Sequence, residues 1–319
     1  MSGIFNHSKA SYMKNMWIRP LWRSCVLLLA PIAVNAQSDV DAIMMGKKLL
    51  CAGVSFQAGQ WNRYWEGTFL RTNENIGTVR TTAVAAMGSY GLTKNLNIIY
   101  SLPYIQTRAT AGQLIGQRGL QDFGLVAKYR FLRKKTEKRS FSLLGMAGVS
   151  TPTQDYVKDH LPLSVGLGCS NFTLRVMADQ TFRWFFTTAS TSYIRRSNIK
   201  LDRQAYFTDR MVYSPWVAMP DVLYTNFRMG YRDPELIAEV VADQWLTLGG
   251  FDITKNNMPF PSNRMIQTRI GLAGKYEPKK WKGLSLNGGV FQTVSGRNMG
   301  KAASAQFGVF YILNFTKRS

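Results

Sequence analysis

The closing stretch of the chain, Ser304-Ala-Gln-Phe-Gly-Val-Phe-Tyr-Ile-Leu-Asn-Phe315, constrains the fold more than any other. Its odd positions (Ala305, Phe307, Val309, Tyr311, Leu313 and Phe315) are all apolar, and its even positions include Ser304, Gln306, Gly308 and Asn314. That strict period of two describes a β-strand with one oily face and one mixed face. The chain ends almost at once afterwards, at Thr316-Lys-Arg-Ser319.

The same rhythm recurs upstream. Leu96, Ile98, Tyr100, Leu102 and Tyr104 alternate with residues that include Asn95, Asn97 and Ser101. Phe123, Leu125, Ala127, Tyr129 and Phe131 oppose Asp122, Gly124, Lys128 and Arg130. Phe172, Leu174, Val176 and Ala178 oppose Thr173, Arg175 and Asp179. Similar rows run through 223–232, 236–246, 266–276 and 284–290. The segments 78–91, 139–152 and 184–196 carry small or mixed residues on both faces, and they read as strands because turns bracket them.

The oily rows need a solvent, and the N-terminus bears on which one. Arg19 and Arg23 precede an apolar run, Cys25-Val-Leu-Leu-Leu-Ala-Pro-Ile-Ala-Val34, that ends on Asn35-Ala36 before Gln37-Ser38-Asp39. A basic region, a short apolar stretch and a small-residue site make a cleavable signal peptide over 1–36, leaving 37–319 as one domain. The run is too short for a membrane helix, which needs about 20 apolar residues. No later stretch is long enough either, so a membrane protein made from this chain has to span with strands.

The connections supply a separate test. Short ones (91–95, 133–138, 180–183, 232–235 and 277–283) alternate with long ones (about 58–77, 107–120, 152–171, 198–220, 248–263 and 295–303). Outer-membrane barrels show that asymmetry, with short periplasmic turns and long extracellular loops. The expectation is an all-β, antiparallel up-and-down transmembrane barrel of about twelve strands, with fourteen as the alternative if loops 152–171 and 198–220 hold further hairpins. Tyr90, Tyr100, Tyr104, Tyr129, Tyr193, Tyr231, Tyr276 and Phe315 fall near predicted strand ends, where interfacial aromatics sit. A water-soluble sandwich explains the alternation. It does not explain the signal, the loop asymmetry and the aromatic closing strand together.

If the oily rows face lipid, the ionic rows face a lumen. Lys128, Arg130, Arg175, Asp179, Arg228, Glu239, Asp243, Arg269 and Lys275 are the pore-lining candidates. Arg228 lies across the 232–235 turn from Glu239 and Asp243, so it pairs with one or the other. Two readings stay open: a ladder of ion pairs that stiffens the wall, or a basic constriction that selects anions. Removing Lys9, Lys14, Arg19 and Arg23 with the signal lowers the formal net charge from +22 to +18. Nucleic acid is the usual partner of such a charge, but export argues against it. Anionic lipid and lipopolysaccharide are the partners expected instead.

Chemistry is scarce. Metal sites draw on clusters of His, Cys and carboxylates. After processing, the chain offers His160, Cys51 and Cys169. No metal or other cofactor is expected, and whether the two cysteines pair stays open. A Ser/His/Asp constellation is conceivable around Asp155, Asp159, His160 and Ser164, but these share one predicted loop, where polar clusters are ordinary. The reading taken is that the chain is not an enzyme.

Two stretches resemble known proteins. A closing strand that ends on Phe315 resembles the C-terminal signal of bacterial outer-membrane barrels, which implies recognition by the barrel-assembly machinery. Gly119-Leu-Gln-Asp-Phe123 running into Ala127-Lys-Tyr-Arg-Phe131 resembles the Gly-x-Gly-Asp and Lys-Tyr-Arg-Phe elements of the "MetA-pathway of phenol degradation" barrel family, which is similar in style to FadL-like channels. The family-motif positions are Gly119, Asp122, Lys128, Tyr129, Arg130 and Phe131. Leu102-Pro103, Thr151-Pro152-Thr153 and Gly166-Leu-Gly-Cys-Ser170 are similar to further elements of that family. Gln121 replaces the second motif glycine, and Gln154 follows Thr153 where Gly is usual. Gly249-Gly-Phe-Asp252 and Met258-Pro-Phe-Pro-Ser-Asn263 resemble Bacteroidota members. The resemblance implies a channel in the Gram-negative outer membrane for passive uptake of a small solute, hydrophobic or aromatic in kind. The alternatives are a surface-interaction barrel with a plugged lumen and a barrel-embedded lipid hydrolase.

Overall fold

The structure is a computed structural model that describes residues 39–254 and 257–315; the expected signal peptide lies outside them. Twelve long strands build the wall: β1 (Leu49–Trp61), β2 (Val79–Gly91), β3 (Leu96–Ala109), β4 (Asp122–Lys135), β5 (Arg139–Pro152), β6 (Asn171–Phe182), β7 (Phe185–Arg196), β8 (Val222–Arg232), β9 (Leu236–Thr247), β10 (Ile266–Tyr276), β11 (Leu284–Arg297) and β12 (Ala303–Asn314). Each pairs antiparallel with its neighbours in sequence. The ring closes where β1 meets β12, from Leu49 opposite Asn314 to Gln60 opposite Ala303. Phe315 adds one more rung by donating its N–H to the Lys48 carbonyl at 3.0 Å. Closure leaves no strand edge, so the wall satisfies its own backbone.

The facing follows the sequence pattern. Leu125, Tyr129, Leu174, Val176, Val240, Ile270, Leu272, Phe307, Val309 and Tyr311 are exposed on the outside. Lys128, Arg175, Asp179, Arg228, Glu239 and Asp243 are buried inside. So wide an apolar belt on a water-soluble protein would invite aggregation. On a closed barrel it matches hydrocarbon.

The weakly patterned segments are strands β2, β5 and β7. On β5 the alternation blurs because Leu144 and Met146 face inward and are apolar too. They pack with Ile99 of β3 and Met177 of β6 against Ala42, Met44 and Val126. On β7 the inward row is Thr188, Ser190 and Ser192, small polar residues that leave room in the lumen.

Short turns are fixed locally. Asp233 accepts the amides of Glu235 and Leu236 at 2.7 Å each, and the Thr93 hydroxyl accepts those of Asn95 and Leu96 at 3.1 and 2.9 Å. Such side-chain acceptors hold tight turns without secondary structure. The long loop between β7 and β8 holds two ribbons, Ile199–Lys200 with Trp216–Val217 and Tyr206–Phe207 with Met211–Val212. Neither joins the wall, so the count is twelve and not fourteen.

One seam is interrupted. β3 pairs with β4 as far as Ser101 opposite Gly124, then resumes with the short strand Arg118–Leu120 at Tyr104 opposite Leu120. Pro103 has no N–H to give, and its carbonyl takes the Gln121 amide at 2.9 Å. The kink therefore sits at Gln121, facing a proline that a strand tolerates only at an irregularity. Tyr100 departs from its expected place at a strand end. It lies mid-wall opposite Gly88, where an added Cβ would come within 2.6 Å of its ring.

Leu125 is mid-strand and 41% exposed on the oily face. Leu125→Arg is expected to cost about 2–4 kcal/mol. Urea unfolding in lipid vesicles checks this, and a variant as resistant as the wild type would contradict the facing.

Candidate functional site: an occluded lumen

The chain reaches the lumen before it reaches the wall. Lys48 sits at the turn end, its amide on the Gly91 carbonyl at 2.7 Å. Preceding residues lead inward from there. Met45 packs against Cys51 and Phe310, on inward rows of β1 and β12. Its main chain meets the Asn97 side-chain amide, whose oxygen accepts the Met45 N–H at 2.6 Å. Asp41 meets Lys128 at 3.1 Å, with both side chains at most 3% exposed. Asp39 meets Arg175 of β6 at 2.9 Å. The segment 39–46 is thus a strap laid against β3–β6 inside the barrel.

Its cradle explains the blurred rows. An inward apolar patch (Ile99, Leu144, Met146, Met177) takes the strap's Ala42 and Met44. Two inward cations take its two carboxylates. A lysine as buried as Lys128 is costly without a counter-charge, and Asp41 supplies one. The strap has no sequence pattern of its own, and its trace lies in the wall, as apolar residues on the inward face of strands that otherwise alternate.

Several other inward ions also pair. Arg228 takes Glu239 at 2.8 Å, which resolves the choice left open by the sequence, and Asp243 takes Arg269 through a two-pronged contact at 2.9 and 3.0 Å. Asp179 takes Arg232 at 3.0 Å and the Thr188 hydroxyl at 2.6 Å. Lys275 takes Glu277 at 2.5 Å. Arg130, placed on the lumen by its row, lies at the turn end and bonds Asn95 and the Lys94 carbonyl instead.

Aromatic rings steady the guanidinium groups. Arg175 lies 5.6 Å from the Tyr224 ring, Arg269 5.6 Å from Phe291 and Arg232 3.7 Å from Phe186. A planar guanidinium held between a carboxylate and a ring keeps its orientation.

Beside the strap a cavity of about 570 Å³ remains. One wall is small and neutral: Ser55 and Gln57 of β1 and Ala83 and Ala85 of β2. The opposite wall is charged and aromatic: Tyr224, Arg228, Asp243, Trp245 and Arg269. Asp39 touches the space as well. At the loop end, the inward-facing Thr107 donates to the Leu163 carbonyl at 2.5 Å, and Leu163 is fully buried, so loop 153–170 folds into the mouth.

The remaining sequence candidates have other employment. Asp122 accepts the Tyr156 hydroxyl at 3.1 Å and so pins loop 153–170 to β4. Desolvation raises the Tyr156 pKa, keeping it a donor. Gly119 stands in the short strand beside the kink. Tyr129 and Phe131 face outward and meet edge to face at 5.0 Å. His160 bonds the Ile115 carbonyl at 2.9 Å, Ser164 donates to the Gly166 carbonyl at 2.7 Å, and Asp159 pairs with Arg203. These residues do not converge on one another. Cys51 and Cys169 are both free and buried, in separate clusters.

No family model matches the sequence, and no curated protein sequence does. Solved structures do match. The COG4313 outer membrane channel from Pseudomonas putida F1 superposes with a TM-score of 0.69 at 13% identity, covering 88% of this chain and 100% of that one. The translocator domain of autotransporter NalP from Neisseria meningitidis gives a TM-score of 0.47 at 12% identity, over 84% of this chain and 90% of that one. At such identity the first likeness is one of fold: a closed outer-membrane type of barrel.

The strap's anchors generate a prediction. Asp41→Ala removes the carboxylate that faces the buried Lys128 ammonium, a loss of about 3–5 kcal/mol if the strap stays in place. With Asp39→Ala added, the strap is expected to leave the lumen and single-channel conductance to rise. Unchanged conductance from a folded double variant would show that the ion pairs do not hold it.

Proposed function

We propose that this protein is a passive channel of the bacterial outer membrane for small solutes that carry an apolar or aromatic body. The observation that carries the reading is the cavity of about 570 Å³ inside a closed barrel whose outside is oily. A wall that paired its backbone merely to sit in lipid would have no need of a two-faced interior cavity. The fold match to an outer membrane channel supports the same reading, as does the sequence resemblance to the phenol-degradation barrels. On this reading the signal at 1–36 exports the chain. The belt then meets lipid and lipopolysaccharide, and the closing strand is what the assembly machinery recognises. We assign no catalytic role and no cofactor.

The lumen is rich in cations, and most of them face a carboxylate. The wall is therefore near charge balance along much of its length, which leaves only a weak preference for anions. Aromatic rings beside the cavity (Tyr224, Trp245 and Phe291) favour solutes with a flat or apolar body. One specific observation favours a second reading: the strap and loop 153–170 narrow the lumen from opposite ends. A barrel held in that state would serve as a scaffold for its long loops.

Liposome swelling with aromatic acids, sugars and alkanes separates the two. Swelling with any small solute supports the channel, and none in correctly folded vesicles supports the scaffold. In a conducting pore, Arg228→Glu with Arg269→Glu should move the reversal potential towards cation selectivity, since each adds a second negative charge beside Glu239 or Asp243. An unmoved potential would place the ion path elsewhere.

A further inference from the structure

Four cationic side chains are buried among the described residues: Lys128, Arg175, Arg196 and Arg228. Three have a carboxylate within 3.1 Å. Arg196 does not. Its Nη1 and Nη2 are both buried with no hydrogen-bond partner. A guanidinium cannot shed its charge inside a protein, so its donors call for an acceptor.

The neighbours do not provide one. Asp221 accepts the Arg196 main-chain amide at 3.1 Å with one oxygen and the Tyr193 hydroxyl with the other. Its charge reaches Arg196, but neither of its oxygens bonds the guanidinium. Cys169 also lies close, and burial pushes its thiol pKa up, so it stays neutral beside the cation. Below the guanidinium is a ring: Arg196 sits 5.4 Å from the centre of Trp245.

Position gives these groups a role. Arg196 shares its inward row with Ile194, opposite Asn171 and Thr173 of β6 respectively. Thr173, Ile194 and Trp245 line the lumenal cavity, and Arg196 stands one step beyond its loop end, outside the lining, with both Nη atoms covered. We propose that the Arg196 guanidinium, backed by Trp245, turns towards the cavity to bind the carboxylate of a small organic anion whose apolar body lies along Trp245 and Ile194. The planar fork offers two parallel N–H donors, the geometry a carboxylate accepts best. Burial weakens screening by salt, so the site discriminates charge where the exposed loop arginines do not. The inference deepens the channel reading by naming the class of solute that pauses in the lumen.

The test uses the full folded protein in detergent, with benzoate as probe and benzamide as its neutral counterpart of like shape. Binding is read by calorimetry and by Trp fluorescence. Saturable benzoate binding is expected, with benzamide at least about ten-fold weaker. Arg196→Gln, checked for heat-modifiable migration, should bind benzoate no better than benzamide. Equal binding of the two probes by wild type, no saturable binding, or an Arg196→Gln variant with wild-type benzoate affinity would each overturn the site. If that variant does not fold, the wild-type contrast decides alone. Potassium chloride conductance on the same preparations tests the channel separately. Conductance without discrimination overturns the site and leaves the channel standing. Discrimination without conductance supports the site and removes the channel.

Discussion

Hydrocarbon offers a peptide group nothing to bond with, and every other feature of this molecule follows from that. Each strand N–H and C=O has to find a partner within the protein, so a sheet in lipid has to close on itself. Closure in turn makes an inside. Once the oily rows are given to the outside, the polar rows have one place left to go, and the interior fills with ions that must answer one another.

How they answer is instructive. A buried ion pair is not a reliable source of stability, because desolvating both charges costs about what their attraction returns. Its value is in specificity. Arg228 with Glu239 and Arg269 with Asp243 tie adjacent strands at fixed heights. The pairs of Lys128 with Asp41 and Arg175 with Asp39 do something different, since they join the wall to a segment that is not part of it. The same chemistry therefore binds strand to strand on one side of the barrel and strap to wall on the other.

Much of the wall was legible in the sequence, because the period of two survives wherever one face meets lipid and the other meets ions. The rows on β3, β4, β6, β8, β9, β10 and β12 read directly. β5 read poorly for a physical reason: Leu144 and Met146 face a strap and not water, so both of its faces are apolar. The strap itself, with no periodicity of its own, gave no signal. The pairing of Arg228 with Glu239 and of Asp243 with Arg269 needed the register, as did the removal of Arg130 to the turn end. Nothing in the sequence separates Arg196 from the other cations of a basic chain, and its inward row and unbonded Nη atoms need the structure.

The residue at the threshold between strap and wall carries a mechanical implication. Lys48 adopts a left-handed backbone (φ 62°) where the chain leaves the lumen, and its carbonyl holds Phe315, the last rung of the ring. Met45, just before it, rests on Phe310 of the same closing strand. The stopper is thus hinged on the weld. A force that swings it outward is transmitted to the joint between the first and last strands, so opening the passage loads the one junction that neither a turn nor a loop connects.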